Sequence, residues 1–352
     1  MTVNDAPYAE AFAGRRVLVT GGAGFIGSHL VERLIDLGAD VTVLDDLSTG
    51  HATNLPVRPG RFIKASILND QALRYAMAGC EIVFHEAALV SVAESVDDPM
   101  RCLAINTTGT ERLLEAAGDL GVKRVIFAAS AAAYGEAADL PCRENQPADC
   151  RSPYAASKVA AESLLAAFGR CYDLSTVSLR YFNIFGPRQD PKSPYAAAIA
   201  AFTDAFAAGR QPTVFGTGEQ TRDFTYIDNV VHANLLAAAA EHPLAGEVIN
   251  IGTGTQISLL QVIDALAERY AMTATPQFAD PRPGDVIHSV ADITKARDLL
   301  GYAPLVDFHT GLARTIDAPS QTPAGDGPSS ILTRASSIHS QPCDQNIHRR
   351  DR

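Results

Sequence analysis

Tyr154 and Lys158 stand four residues apart, a spacing that puts both side chains on one face of a helix. A tyrosine hydroxyl titrates near pH ~10. An ammonium beside it stabilises the phenolate and brings it towards use as a base near neutrality. Tyr-x-x-x-Lys alone also falls on many surface helices. What raises it here is Ser130, which closes the extended run Phe127-Ala128-Ala129-Ser130. Doubly wound folds place reactive groups at such strand ends, beside the crevice. A serine hydroxyl there can bond a reacting alcohol and hand its proton towards Tyr154.

A second pattern supplies a partner for that chemistry. Gly21-Gly22-Ala23-Gly24-Phe25-Ile26-Gly27 lies between an apolar strand, Arg16–Thr20, and a segment with helical apolar spacing, Phe25–Leu37. Glycines permit a tight turn and let backbone N–H groups approach a pyrophosphate, whose charge the helix N-terminus stabilises. Asp45 ends the next strand, Val41–Asp45. A carboxylate there accepts hydrogen bonds from ribose hydroxyls and repels a 2′-phosphate, which favours NAD over NADP.

The elements that must position these residues alternate. Strands are expected at Arg61–Lys64, Ile82–His85, Arg124–Ala129 and Ser175–Arg180, and helices at Asp70–Ala78, Met100–Gly118 and Tyr154–Phe168. The rhythm implies βαβ units with right-handed crossovers: an α/β protein with a Rossmann-type, doubly wound parallel sheet. After about Asn183 prolines break the chain. A helix is expected over Ala196–Ala208, an isolated strand over Val248–Ile251, and a Ser258-capped helix to Tyr270. The expected organisation is an extension over 1–14, a dinucleotide domain over 15–182 and a smaller α/β substrate lobe over 183–317. Some lobe segments should return to the main sheet. Residues 318–352, rich in Pro, Ser, Gln and Gly, read as a disordered tail.

Composition excludes several classes. The chain has 352 residues, ample for a sizeable core, and a net charge of −11. That balance argues against nucleic-acid or anionic-membrane binding. No run approaches the ~18 apolar residues of a membrane span. The first residues lack a secretory pattern. Six scattered cysteines without a CxxC pair speak against a disulfide framework or zinc, and for a reducing cytoplasm. The histidines show no ligand spacing, so no metal is expected. Residues 318–352 hold four arginines against three aspartates, which leaves the rest at −12. An anionic nucleotide must therefore be held by local basic groups.

Taken together, Gly21–Gly27, Asp45, His85-Glu86-Ala87-Ala88, Asn106, Ser130, Tyr134-Gly135, Tyr154/Lys158 and Arg180-Tyr181-Phe182-Asn183 resemble the extended short-chain dehydrogenase/reductase family. Within it, the chain is similar to the NAD-dependent nucleotide-sugar epimerases over about residues 15–313. The resemblance implies a tightly held NAD contacted by Gly21, Gly24, Phe25, Ile26, Gly27, Asp45, Asp46, Leu47, Ser48, Thr49, Gly50, Ser66, Ile67, Ala87, Ala88, Asn106, Tyr154, Lys158 and Tyr181. Ser66 stands where the family often has an aspartate near the adenine amine.

The resemblance further implies that Tyr154 deprotonates a sugar 4-hydroxyl with Ser130 as proton shuttle, while Lys158 tunes the tyrosine and binds ribose. For a UDP-sugar it implies contacts from Ser130, Tyr154, Asn183, Gln189, Ala197, Ala198, Phe215, Arg222, Arg282, Asp285 and Ser289. Relatives that dehydrate or decarboxylate carry acids just before the Tyr-Gly pair; here Ala131, Ala132 and Ala133 stand there, which favours simple epimerisation. Ser289 occupies the position that limits pocket size, and a small residue leaves room for an N-acetyl group. Against an N-acetyl preference, Ala131 and Ala132 replace hydroxyl residues of members specialised for those sugars. The expectation is a homodimeric UDP-hexose 4-epimerase. Its rivals are an epimerase of another nucleotide sugar such as UDP-glucuronate, a non-catalytic NAD-binding regulator, and a dehydrogenase that consumes its cofactor.

Overall fold

Along each central strand, successive side chains fall alternately into two apolar clusters, as the period of two requires. Val17 and Val19 join one cluster and Leu18 the other; Ile126 and Phe127 divide in the same way. The sheet is thus covered on both faces, the condition under which parallel strands are stable. The computed structural model describes residues 8–56, 60–137, 139–190, 198–281 and 286–318.

The strands of the main sheet are β1 (Arg16–Thr20), β2 (Asp40–Asp45), β3 (Arg61–Lys64), β4 (Ile82–His85), β5 (Arg124–Ser130), β6 (Ser175–Tyr181) and β7 (Ala245–Ile251). Their order is β7-β6-β5-β4-β1-β2-β3, all parallel. The winding reverses between β1 and β4, which opens a crevice at their carboxyl ends. The helices are α1 (Phe25–Asp36), α2 (Asp70–Met77), α3 (Val92–Asp97), α4 (Pro99–Leu103), α5 (Gly109–Asp119), α6 (Pro153–Cys171), α7 (Ala198–Ala207), α8 (Ile227–Ala239), α9 (Leu259–Arg269), α10 (Thr294–Leu300) and α11 (Phe308–Asp317).

Two expectations need correction. Val248–Ile251 is not isolated. It is the end of β7, whose residues Ala245–Ile251 pair in parallel with β6 and form the seventh strand. Nor is Met100–Gly118 one helix. A π-turn at Ala104–Thr108 separates α4 from α5, and it is there that Asn106 turns inward and is buried.

Helix α8 went unmarked in the sequence because it has no polar face: even Asn229, His232 and Asn234 are buried. Beyond Asn183, where a smaller lobe was expected, lie α7, α9 and three two-stranded pairings outside the main sheet. These are Thr213–Phe215 with Gln277–Ala279, Thr221–Arg222 with Ile257–Ser258, and Ile184–Phe185 with Thr225–Tyr226. Ser258 caps α9 in a reciprocal box with Gln261. Within the stretch read as an extension, Tyr8 and Phe12 are buried in the main core. Residues 319–352, where the tail was expected, lie outside the described residues.

Candidate active site

The turn after β1 is shaped by close approach. Gly21 has φ +68°, and a Cβ on it would sit 2.7 Å from Ala87 N; a Cβ on Gly27 would sit 2.2 Å from Gly21 O. Both positions demand glycine. Gly24 is the N-cap of α1 and, having no side chain, makes no side-chain cap bond, so the first-turn N–H groups keep their capacity for an anion. Asp45, buried at the end of β2, accepts from Ala23 N at 2.9 Å and Leu47 N at 2.8 Å. Each oxygen keeps a second lone pair for a ribose hydroxyl. Burial raises the Asp45 pKa, and those two backbone bonds oppose the rise. Asp46, Ser48 and Thr49 are exposed beyond it, and Gly50 is buried against Ala23. The cradle therefore fits a dinucleotide: the glycines leave backbone room and Asp45 ends the strand beside it.

Behind the cradle, a hydrogen-bond chain fixes the end of β4. Ala87 N donates to Thr20 Oγ1 at 3.3 Å, and Thr20 Oγ1 lies 2.8 Å from His85 Nδ1. On the other side, Thr110 Oγ1 lies 3.0 Å from His85 Nε2 and donates to Asn106 O at 2.6 Å. Since Thr110 uses its proton on Asn106, the network assigns the imidazole proton to Nε2. Burial depresses the His85 pKa to about 3, with Lys158 contributing, so His85 is neutral and structural. Asn106 accepts from Leu89 N at 2.8 Å and donates to Leu89 O at 3.0 Å and Ser157 Oγ at 2.9 Å. Asn106, expected as a cofactor contact, thus braces the backbone of Leu89 beside the cradle. Ser66 and Ile67 sit in the turn after β3, where Ser66 Oγ accepts from Leu68 N at 3.2 Å.

The reactive cluster meets at the ends of β5 and α6. Ser152 caps α6 and Pro153 starts it, and Ser95 Oγ accepts from Tyr154 N at 3.1 Å. Tyr154, Lys158 and Glu162 recur every four residues along one helix face. Glu162 forms a buried bidentate pair with Arg180 of β6, at 2.8 Å and 2.7 Å, which locks that face onto the sheet. Ser130 lies beside Tyr154. Burial raises the Tyr154 pKa and Ser130 lowers it. Lys158 Nζ donates to Ala128 O at 2.7 Å and lies 4.7 Å from the centre of the Phe127 ring. Burial pulls Lys158 down to about 8, and the Glu86 carboxylate opposes this. Ala131–Tyr134 form a tight turn directly after Ser130 and bring no carboxylate to it.

Toward the smaller lobe, Asn183 is exposed at the end of β6 with φ +22°, a conformation few non-glycine residues adopt. Gln189 Nε2 donates to Ile184 O at 3.1 Å. Arg222 Nη1 donates to Thr221 O at 2.9 Å and Ile287 O at 3.2 Å, and Ser289 N donates to Thr221 O at 3.1 Å. Arg222 and Ser289 thus share one short pairing, and half-buried Phe215 ends a strand of a separate one, Thr213–Phe215 with Gln277–Ala279. Ala198 opens α7. Ala197, Arg282 and Asp285 lie outside the described residues.

Three residues of this region were given no role from the sequence. Asp223, fully buried, accepts from Thr253 N, Gly254 N and Ala291 N at 2.8, 2.9 and 3.2 Å and so joins the turn after β7 to the segment at Ala291. Glu86 and Asn234 flank the Tyr181 hydroxyl. Glu86 was legible only as a member of His85-Glu86-Ala87-Ala88, without a role, and Asn234 not at all.

A model of the NAD dependent epimerase/dehydratase family matches residues 17–252. A UDP-glucose 4-epimerase of Mycolicibacterium smegmatis is 41% identical over 308 residues, 86% of this chain and 97% of that protein. Among solved structures, a UDP-N-acetylglucosamine 4-epimerase from Methanobrevibacter ruminantium bound to UDP-N-acetylmuramic acid is 38% identical. It has a TM-score of 0.82 and covers 87% of this chain and 98% of its own. The Thermus thermophilus UDP-glucose 4-epimerase complex with NAD is 37% identical at a TM-score of 0.79, covering 86% and 98%. A UDP-glucuronate 4-epimerase of Thermodesulfobacterium geofontis matches at 33% identity over 85% of this chain and 94% of that protein.

Proposed function

We propose, from the premise that this chain belongs to the NAD-dependent epimerase/dehydratase family, that it inverts C4 of UDP-hexoses. UDP-glucose and UDP-galactose are its substrates in this reading, and their N-acetyl counterparts are accepted. The observation that carries the reading is Ser130 at the end of β5 beside Tyr154, whose pKa it lowers, with Lys158 on the same helix face and an all-alanine turn next to it.

NAD supplies a reversible hydride acceptor when bound. Gly21, Gly24, Phe25, Ile26 and Gly27 hold its pyrophosphate, Asp45 its adenosine ribose, and Lys158 its other ribose. Ser130 bonds the sugar 4-hydroxyl, and its proton passes to Tyr154 as the C4–H leaves as hydride. Lys158 and the positive charge of the oxidised cofactor favour the phenolate, offsetting the burial that raises Tyr154. Without a carboxylate on Ala131–Ala133, the resulting 4-keto sugar has no acid or base for elimination. Tyr154 returns the proton after the sugar has turned in the pocket. Arg222, with Arg282 and Asn183, holds the diphosphate that anchors this turning; guanidinium forks suit phosphate oxygens. Phe215, Gln189, Ala197, Ala198 and Asp285 complete the UDP site, and Ser289 leaves room at the sugar.

Assays of C4 inversion over UDP-glucose, UDP-galactose, UDP-N-acetylglucosamine and UDP-glucuronate test this. The expected result is inversion of the first three with no net NADH, and a loss of kcat of at least about 100-fold in Tyr154→Phe. Turnover of UDP-glucuronate alone would replace this reading, and full activity of Tyr154→Phe would end the mechanism.

The active form in this reading is a dimer. Val92, Val96, Met100 and Leu103, on α3 and α4, leave a run of exposed apolar side chains, with Val96 60% and Met100 74% exposed. Such patches on soluble proteins mark contact surfaces, and α4 packs on α6, the helix that carries Tyr154.

A further inference from the structure

Arg180 takes no part in the chemistry above, yet it touches both of the bodies that chemistry must hold together. Its place in the sheet sets this up. Ala129, Arg180 and Asn250 are in register across β5, β6 and β7, in the row just before Ser130. With its edge, Arg180 donates from Nε and Nη2 to Glu162 Oε1 and Oε2 at 2.8 and 2.7 Å. Glu162 lies on the α6 face that carries Tyr154 and Lys158. With its flat side, the guanidinium lies over the Tyr134 ring, 4.6 Å from its centre. Tyr134 ends the tight turn that Ser130 begins. Its hydroxyl donates to Asn250 Oδ1 at 2.6 Å, and Asn250 Nδ2 donates to Cys142 O at 2.9 Å and Asp292 O at 3.3 Å. Glu162, Arg180, Tyr134 and Asn250 are all buried.

Fastening a helix to a sheet does not require such a pair. A buried ion pair stabilises no better than well-packed apolar side chains of the same volume. Arg180 Nη1 is in addition buried with no hydrogen-bond partner among the described residues, which costs further. What a guanidinium adds is two fixed directions in one rigid group: its fork sets a carboxylate in its plane, and its flat side sets a ring. The turn after Ser130 needs this, because Ala131, Ala132 and Ala133 carry only methyl groups. It is held by backbone bonds, with Ser130 Oγ accepting from Ala132 N at 3.2 Å and Ala133 O from Asp149 N at 2.9 Å, and by the Tyr134 ring at its end.

We propose that Arg180 is a positioning residue for the proton transfer: with its edge on Glu162 and its flat side on Tyr134, it fixes the Ser130 turn against the Tyr154 face of α6. The proposal rests on the reading of Ser130 and Tyr154 as the groups that handle the sugar hydroxyl. A lysine in place of Arg180 leaves Glu162 a cation but removes the fork and the flat side, so the turn is free to shift. A displacement of about 1 Å at reacting groups can cost on the order of 100-fold in rate. The residues assigned to the UDP moiety lie elsewhere, so affinity for the substrate is little affected. Tyr154 reports the shift. Burial raises its pKa, Ser130 lowers it, and Cys102 of α4 adds to the rise; Lys158 follows it on α6. Moving Ser130 away therefore raises the tyrosine further, and activity that needs the phenolate sets in at higher pH.

The test is C4 inversion of UDP-glucose by the holoenzyme, with kcat and KM measured across the pH range in which activity rises. In Arg180→Lys, kcat is expected to fall at least about tenfold with KM changed less than about threefold, and the rising limb of kcat to move to higher pH. Tyr134→Leu, which keeps the ion pair and removes the ring, is expected to move the limb in the same direction. Leu165→Ala removes a buried side chain of α6 from the same face of the sheet. It is expected to lower the melting temperature and leave the limb in place. A limb unmoved in Arg180→Lys overturns the proposal; if that variant does not fold, an unmoved limb in Tyr134→Leu does so. A shift in Arg180→Lys without one in Tyr134→Leu also overturns it, since the turn would then not be held through the ring. An equal shift in Leu165→Ala overturns it as well, by tracing the effect to loosened packing. A wild type that inverts no UDP-hexose overturns the functional reading and this proposal together, whereas an active wild type with unmoved variants overturns this one alone.

Discussion

His85 is buried at the end of β4 and half-buried Glu86 follows it, and their surroundings disfavour opposite charge states. Burial lowers His85 to about 3 from 6.5 and raises Glu86 to about 7 from 4.5. The consequences for stability have opposite signs. The unfolded imidazole binds a proton below about pH 6.5, and the folded one only near pH 3. The stability His85 contributes is thus full above 6.5 and lost as pH falls to 3. Glu86 does the reverse: its contribution is full below 4.5 and lost as pH rises through 7. For His85 the whole effect is on the order of 5 kcal/mol. Denaturant unfolding of wild type and His85→Gln across this range checks it. The variant should lose less stability on acidification, and parallel curves would show that the imidazole does not titrate against folding.

At the scale of elements, the glycine turn and α1 form one unit. A Cβ on Gly27 would meet the backbone of Gly21 and Gly22, while one on Gly118 of α5 would meet nothing within 4 Å. Gly27→Ala should push α1 off the turn, costing about 1–3 kcal/mol and at least about tenfold in dinucleotide affinity. Gly118→Ala should be neutral or stabilise by up to about 1 kcal/mol. Thermal melts and NADH fluorescence titration of both variants check this. Strands β1, β3 and β4 and the start of α1 were legible to the residue because apolar runs bounded by glycine or charge leave little latitude. The same code failed where burial is complete. Helix α8 lacks the polar stripe that declares a helix, and β7 looked isolated because its partner lies 64 or more residues earlier in the chain. In the site, Ser130, Tyr154, Lys158 and Asp45 were legible from spacing and strand ends. Glu86, Asn234 and Asp223 were not, since their roles exist only through contacts made by distant elements.

For the molecule as a whole, the exposed run on α3 and α4 carries the proposed dimer. A glutamate at Met100 or Val96 would place a charge in a contact of two copies. Met100→Glu combined with Val96→Glu is therefore expected to give a monomer in sedimentation velocity, with the melting temperature of the isolated fold retained. A wild-type monomer would remove the dimer from the reading. A different consequence follows from β7. Strand β6 is complete at Tyr181, but its outer edge is covered only when Ala245–Ile251 arrive. During synthesis, the ribosome must add some 60 further residues before that edge is sealed. Until then the nascent chain carries an open, apolar strand edge of the kind that templates aggregation. Chains that terminate between these two strands are expected to go to inclusion bodies, and production of the protein should depend on chaperone supply more than its finished form does.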